Sequence, residues 1–380
     1  MSLAMLALVC LAGLAGPLLA LPRKTEVPVV IGELVAGLAL GPSALNRLDA
    51  QDKTFAFLAQ IGFALVMFVV GSHVPVRDPQ LTASLRVGFL RAVGVGLVAT
   101  GLGLLIATVF HSGHWTLYAV LMGSSSAALI LPIVESAQLS GPAVLQLLPQ
   151  VAIADSVCIV ALPLAIDPRH AGRAALGSLA VLAAAGVIFL VLNHLERTGA
   201  RRRAHRVSQS RKFALELRVN LILLFTLAAL ATRTHASIML AGFSFGLVVA
   251  GIGEPRRLAR QLFALTEGFF APLFFVWLGA SLDLHDLAHR PSLVMLGLIL
   301  GGGAVLAHLA MSATGQPASI AALTSAQLGV PIAAVTLGSQ LHVLKFGEPA
   351  ALLLGALVTM AVAAVAGGVA RKRLSGDTTR

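Results

Sequence analysis

Residues 116–137 read TLYAVLMGSSSAALILPIVESA, and residues 143–166 read AVLQLLPQVAIADSVCIVALPLAI. Each is long enough to cross a bilayer, which takes about 20 apolar residues. The first is interrupted in its middle by Ser124, Ser125 and Ser126, and then by Pro132. Proline has no amide proton and crowds the carbonyl four residues back, so this segment is expected to break or kink there. The second carries Asp155 near its centre. A carboxylate at that depth costs about 2.5 to 3.5 kcal/mol to insert, which marks it as functional.

The rest of the chain fits that membrane setting. Of 380 residues, 57% are hydrophobic and 11% charged, and the mean hydropathy is +0.91. No ordinary soluble domain has this balance, so the fold class is all-α, a polytopic membrane protein. A window of about 19 residues finds about 13 spans, near 3–21, 27–45, 55–74, 86–110, 116–137, 143–166, 174–195, 219–232, 236–253, 262–284, 291–314, 317–341 and 348–370. Little chain is left over for a catalytic domain outside the bilayer.

A net charge of +11 in such a chain is a topology signal and not a nucleic-acid signal. Sorting the connections alternately puts about 19 Lys and Arg on one side and about 7 on the other, in keeping with an odd number of crossings. The expectation is an N-terminus outside and a C-terminus in the cytoplasm of a cell membrane. The longest connection, Glu196 to Arg218, is a basic cytoplasmic linker near the midpoint. The first apolar run lacks a basic start and reads as an anchored helix, not a cleaved signal. Cys10 and Cys158 lie in apolar segments without metal or disulfide spacing and read as small core residues.

The two sides of the linker repeat each other. GELVAGLALG around Gly37 recurs as LAGFSFGLVVAG around Gly246, and FVVGSHVPV around Gly71 recurs as FVWLGASLDL around Gly279. The broken segment recurs as well: Ser126, Ala127, Leu129, Pro132 and Ile133 match Ser325, Ala326, Leu328, Pro331 and Ile332. Six spans per half with one joining span make the repeat inverted, and inverted repeats with broken helices describe a secondary transporter with its site at the midplane. Pro132 and Pro331 are the expected helix breakers. Half-helix ends present unpaired amides and carbonyls, a polar spot that Asp155 can reach.

At this point VVIGELVAGLALGPSAL, IGFALVMFVVGSHVPV, the serine-rich break, IADS and APLFFVWLGASLDL together resemble the monovalent cation:proton antiporter superfamily, in its Kef-type and bacterial sodium/proton exchanger branch. The resemblance runs along nearly the whole chain. It implies 13 helices in a single transporter domain, 1–380, and usually a homodimer. It also implies a mobile core at 86–166 and 291–370, and a scaffold at 1–74 and 174–284. Asp155 matches the aspartate loaded alternately by proton and cation. Ser125 and Ser126 match the polar pair of the first break, and Thr324 with Ser325 face them from the second.

Two departures stand out. The family commonly has an aspartate, asparagine or glutamine just before the essential acid, where this chain has Ala154. Many members carry a lysine or arginine in the eleventh span, where this chain has Ala304, with His308 one turn away.

A carboxylate held away from water takes either a proton or a metal ion, and these exclude each other. Exchange then follows from competition, and a lone acid predicts one proton for one monovalent cation, an electroneutral cycle. Oxygens from Ser125, Ser126, Gln327 and the broken-helix carbonyls suit the hard cations sodium and potassium. Glu33, in the GEL motif, reads as a helix-end or funnel carboxylate. Glu135 and Glu267, at the ends of the fifth and tenth spans, read as capping or gating residues. His308 reads as a packing histidine or a proton relay.

No zinc spacing, P-loop or nucleophile elbow is present, so neither an enzyme nor a cofactor is expected. The alternatives to an antiporter are a sodium-coupled organic anion symporter of related fold and a non-transporting sensor or assembly homologue. No nucleotide-binding regulatory domain is expected after Arg373.

Overall fold

The computed structural model describes residues 1–21, 29–72, 79–136, 139–166, 171–199, 214–234, 236, 238–253, 256–281 and 290–377. Most of the expected linker, at 200–213, lies outside them. The first repeat runs α1 (Leu3–Gly13), α2 (Ala15–Ala20), α3 (Val29–Leu40), α4 (Lys53–Ser72), α5 (Pro79–Val109), α6 (Trp115–Gly123), α7 (Ala127–Ser136) and α8 (Pro142–Ile166). The joining helix is α9 (Ala171–Arg197). The second repeat runs α10 (Leu215–Arg233), α11 (Ile238–Ile252), α12 (Arg256–Leu265), α13 (Ala271–Ala280), α14 (Pro291–Leu309), α15 (Ala318–Leu323), α16 (Gly329–Gln340) and α17 (Glu348–Asp377). There is no strand among the described residues, as an all-α membrane chain requires.

Nine spans among the described residues are long and apolar enough to cross a membrane by length and composition. The other four of the thirteen expected segments have a different form. Two are the short apolar helices α3 and α11, which hold matching places in the two repeats. The remaining two are the serine segments, each split into half-helices: α6 with α7, and α15 with α16.

Several irregularities share one cause. Pro17 follows the break at Leu14, Pro272 follows the π turn at Thr266–Phe270, and Pro331 follows the break before Gly329. In each case the carbonyl that proline deprives of its amide lies four residues upstream, and the helix opens there. Pro132 and Pro331 therefore sit within the second half-helices, and the breaks fall ahead of them. The expectation of a break at Pro132 itself is corrected: α7 runs through it.

The repeats lock together through glycines. A Cβ built on Gly37 would overlap the Val276 carbonyl, and one on Gly279 the Leu34 carbonyl. Likewise Gly71 meets the Phe243 carbonyl and Gly246 the Phe68 carbonyl. Thus α3 crosses α13 and α4 crosses α11, joining the second and third segments of one repeat to their swapped counterparts in the other. Lipid is as apolar as a side chain, so such close backbone approach, and not the hydrophobic effect, holds these pairs. Around them Phe63 stacks on Phe274 with ring centroids 5.0 Å apart, and Phe68 lies 5.3 Å from Phe245. Each such pair is worth about 0.5 to 1.5 kcal/mol. Elsewhere α5 packs on α6 and α8, and α14 packs on α17, forming the wall around the two breaks.

Candidate functional site

The first break begins where α6 ends at Gly123 and Ser124 turns extended, with φ −79° and ψ 152°. Serine side chains favour such a departure because they bond the nearby backbone. The Ser124 hydroxyl donates to the Leu121 carbonyl at 2.8 Å. The second break, between Leu323 and Gly329, lies directly against it. The Ser125 hydroxyl donates to the Thr324 carbonyl at 2.8 Å, and the Ser126 amide donates to the Ala326 carbonyl at 2.8 Å. The backbone of one repeat thereby satisfies polar groups of the other at a buried crossing.

Asp155 approaches this crossing from α8. It is 5% exposed, and its Oδ2 accepts from the Ala127 amide at 3.3 Å. Ala127 opens α7, so its amide is one of those a helix start leaves unpaired, at the positive end of the half-helix. A carboxylate is well placed there.

Thr324 meets Ser125 through its carbonyl, while its side chain turns the other way. The hydroxyl donates to the Ala321 carbonyl at 2.7 Å, which leaves its oxygen to accept from His308 Nδ1 at 2.9 Å. His308, on α14, is 1% exposed, and its ring also faces the Met122 and Ser124 backbone at the end of α6. Ser325 bonds back to Ala322 at 2.7 Å within its own segment. The Gln327 amide donates to Thr359 Oγ1 on α17 at 3.2 Å. Ala154 and Ala304 are both buried and bring neither acid nor base. Among the described residues no three His, Cys, Asp or Glu gather as for a resident metal.

The outlying candidates fall elsewhere. Glu33 is buried on α3, beside Gly16 and within electrostatic reach of Glu267 on the π turn. Asp155 is not among the groups that act on Glu33. The side chains of Pro132 and Glu135 lie outside the described residues.

Three groups escaped the sequence reading. Buried Glu348, at the start of α17, accepts from the Tyr118 hydroxyl at 2.7 Å, from His114 Nδ1 at 2.8 Å and from the Lys345 amide at 2.9 Å. Buried Arg91 donates from Nε to the Thr314 hydroxyl at 3.1 Å and from Nη1 to Gln146 Oε1 at 3.0 Å. The third is Thr359. A span-end glutamate reads as interfacial and a span-start arginine as topology, so neither invites attention. Thr359 was within reach of the repeat, because the repeat offset carries Asp155 into 354–363, where Thr359 is the one polar side chain.

The profile of the family described as "Sodium/hydrogen exchanger, transmembrane" matches residues 6–372. The chain belongs to this sodium/hydrogen exchanger family. Among family relatives it is similar to YjbQ of Bacillus subtilis (strain 168), provisionally named a Na(+)/H(+) antiporter, at 25% identity over 94% of this chain and 61% of that one. It is also similar to the glutathione-regulated potassium-efflux system protein KefC of Shigella sonnei (strain Ss046), at 25% identity over 72% of this chain and 44% of that one. The chain thus spans about three fifths of the first relative's length, and the KefC match under half of the second's. In three dimensions this exchanger chain superposes on the sodium proton antiporter MjNhaP1 of Methanocaldococcus jannaschii with a TM-score of 0.66, at 16% identity over 96% of both chains. An electron-microscopy structure of MjNhaP1 gives a TM-score of 0.67, at 14% identity over 99% of both. These likenesses show the exchanger fold in a multi-pass membrane protein.

Proposed function

We propose that this chain exchanges sodium or potassium for protons, with Asp155 holding the two cargoes in turn. The observation that supports this most is the Asp155 carboxylate meeting the first amide of α7, where two broken helices of opposite repeats touch. Family membership and the names of the relatives favour the same reading.

In the proposed cycle, Asp155 releases its proton to one side and takes a cation, with Ser125, Ser126, Gln327 and nearby carbonyls as further oxygens. A core of 86–166 and 291–370 then moves against a scaffold of 1–74 and 174–284, and the site opens to the other side. One carboxylate, with alanine at 154 and 304, gives one proton per cation and no net charge moved. Glu33 and Glu267 attract cations toward the site. The proposal includes a homodimer in the cell membrane, N-terminus outside and C-terminus in the cytoplasm, across about 13 crossings.

The test is proton flux in proteoliposomes on addition of sodium, potassium or lithium. Exchange by the wild type, lost in Asp155→Asn, is the expected result, and lowering the pH should raise the cation concentration that gives half-maximal flux. Wild-type liposomes silent to all three cations would refute the exchanger reading. Flux that scales with membrane voltage would refute electroneutrality.

A further inference from the structure

Each break gives one backbone amide to a side chain on the long helix that follows it, and the two acceptors are unlike. At the first, the Ala127 amide donates to Asp155 on α8 at 3.3 Å. At the second, the Gln327 amide donates to Thr359 on α17 at 3.2 Å. Gln327 lies 200 positions after Ala127, and Thr359 lies 204 positions after Asp155. The repeat matches Ala127 to Ala326, so Gln327 stands one residue further on, and Thr359 is the α17 residue that meets the second break as Asp155 on α8 meets the first. It is fully buried, and its own proton is committed to the Ala356 carbonyl at 2.8 Å. Its oxygen is therefore an acceptor with no charge, set against the non-helical segment that leads into α16.

The Gln327 amide is not the end of the chain of contacts. The same short segment carries the Thr324 carbonyl that receives Ser125 and the Ala326 carbonyl that receives Ser126. Fixing Gln327 fixes where those carbonyls stand relative to the first break.

We propose that Thr359 is the positioning residue of the second break. It anchors the 324–327 segment so that Ser125 and Ser126 keep their places beside Asp155, and it leaves the first break as the one with an ionisable cap. The proposal rests on the exchanger reading, in which Asp155 carries the cation. A threonine that merely fills space on α17 would be replaced silently by valine, which has nearly its shape and no acceptor.

The experiment compares wild type, Thr359→Val and Thr359→Ser by two readouts: cation-dependent proton flux in proteoliposomes, and deuterium uptake over residues 324–330 in detergent. For Thr359→Val we expect the cation concentration at half-maximal flux to rise about fivefold, as loss of one buried hydrogen bond implies. The maximal rate should change less, the melting temperature little, and uptake at 324–330 should quicken. Thr359→Ser, which keeps the oxygen, should restore both readouts to within about twofold of wild type.

Faster uptake with unchanged half-saturation reduces Thr359 to local packing and overturns the proposal, as does a valine variant indistinguishable from wild type in both readouts. Should valine fail to accumulate, Thr359→Ala replaces it; if alanine fails too while serine succeeds, the position is architectural and the proposal falls. Wild-type protein without cation-driven flux, whose uptake at 324–330 still responds to valine, defeats the exchanger reading and leaves the anchoring intact.

Discussion

The glycine crossings and the broken crossing both join one repeat to the other, and they do so by opposite means. Where α3 meets α13 and α4 meets α11, side chains are removed and the helical hydrogen bonds stay whole. Where α6 and α7 meet α15 and α16, helical hydrogen bonds are given up and the freed groups pair across the gap. The first solution leaves nothing polar to offer. The second leaves an amide facing Asp155, a carbonyl facing Ser125 and a hydroxyl facing His308. The proposed cation site falls at the second kind of crossing, and the first kind serves the architecture.

Asp155→Asn tests this division most severely. It should reduce cation-driven proton flux to background while leaving the melting temperature near wild type, because the amide oxygen can still accept from Ala127. Residual exchange above background would move the cargo site elsewhere. Gly37→Val should do the reverse. A side chain forced against the Val276 carbonyl costs about 3 kcal/mol, read as a lower melting temperature in detergent, and surviving protein should keep its wild-type half-saturation. If cation affinity shifts instead, the glycine crossings are part of the site.

Smaller effects sharpen the boundary. Tyr118→Phe removes one donor to the buried Glu348 carboxylate and should lower stability by about 1.5 kcal/mol without changing cation selectivity. Ser125→Ala removes its bond to the Thr324 carbonyl. It should cost about 1 kcal/mol and raise the half-saturating cation concentration a few-fold. A stability loss with no change in flux would assign Ser125 to the architecture alone.

Much of this was legible in the chain. Hydropathy located the apolar helices, the serine run at 124–126 located the first break, and the repeat located the second. What the sequence withheld are bonds whose partners lie far apart along the chain. That Thr324 offers its carbonyl to Ser125 and its hydroxyl to His308 depends on which way a non-helical residue faces, and no periodicity governs that. Glu348 sits at a span end, where sequence alone cannot separate a buried, triply bonded acid from one resting in the headgroups. Pro132 does not mark the first break, which falls at the serines ahead of it while α7 runs on through the proline.

The Ser126 amide bound to the Ala326 carbonyl is a sheet-like link inside an all-helical protein, and it restricts how the protein can change shape. Unzipping it would strand a donor and an acceptor in hydrocarbon at a cost of several kcal/mol. In the proposed cycle the two half-helix pairs therefore travel as one unit, since each holds the backbone of the other.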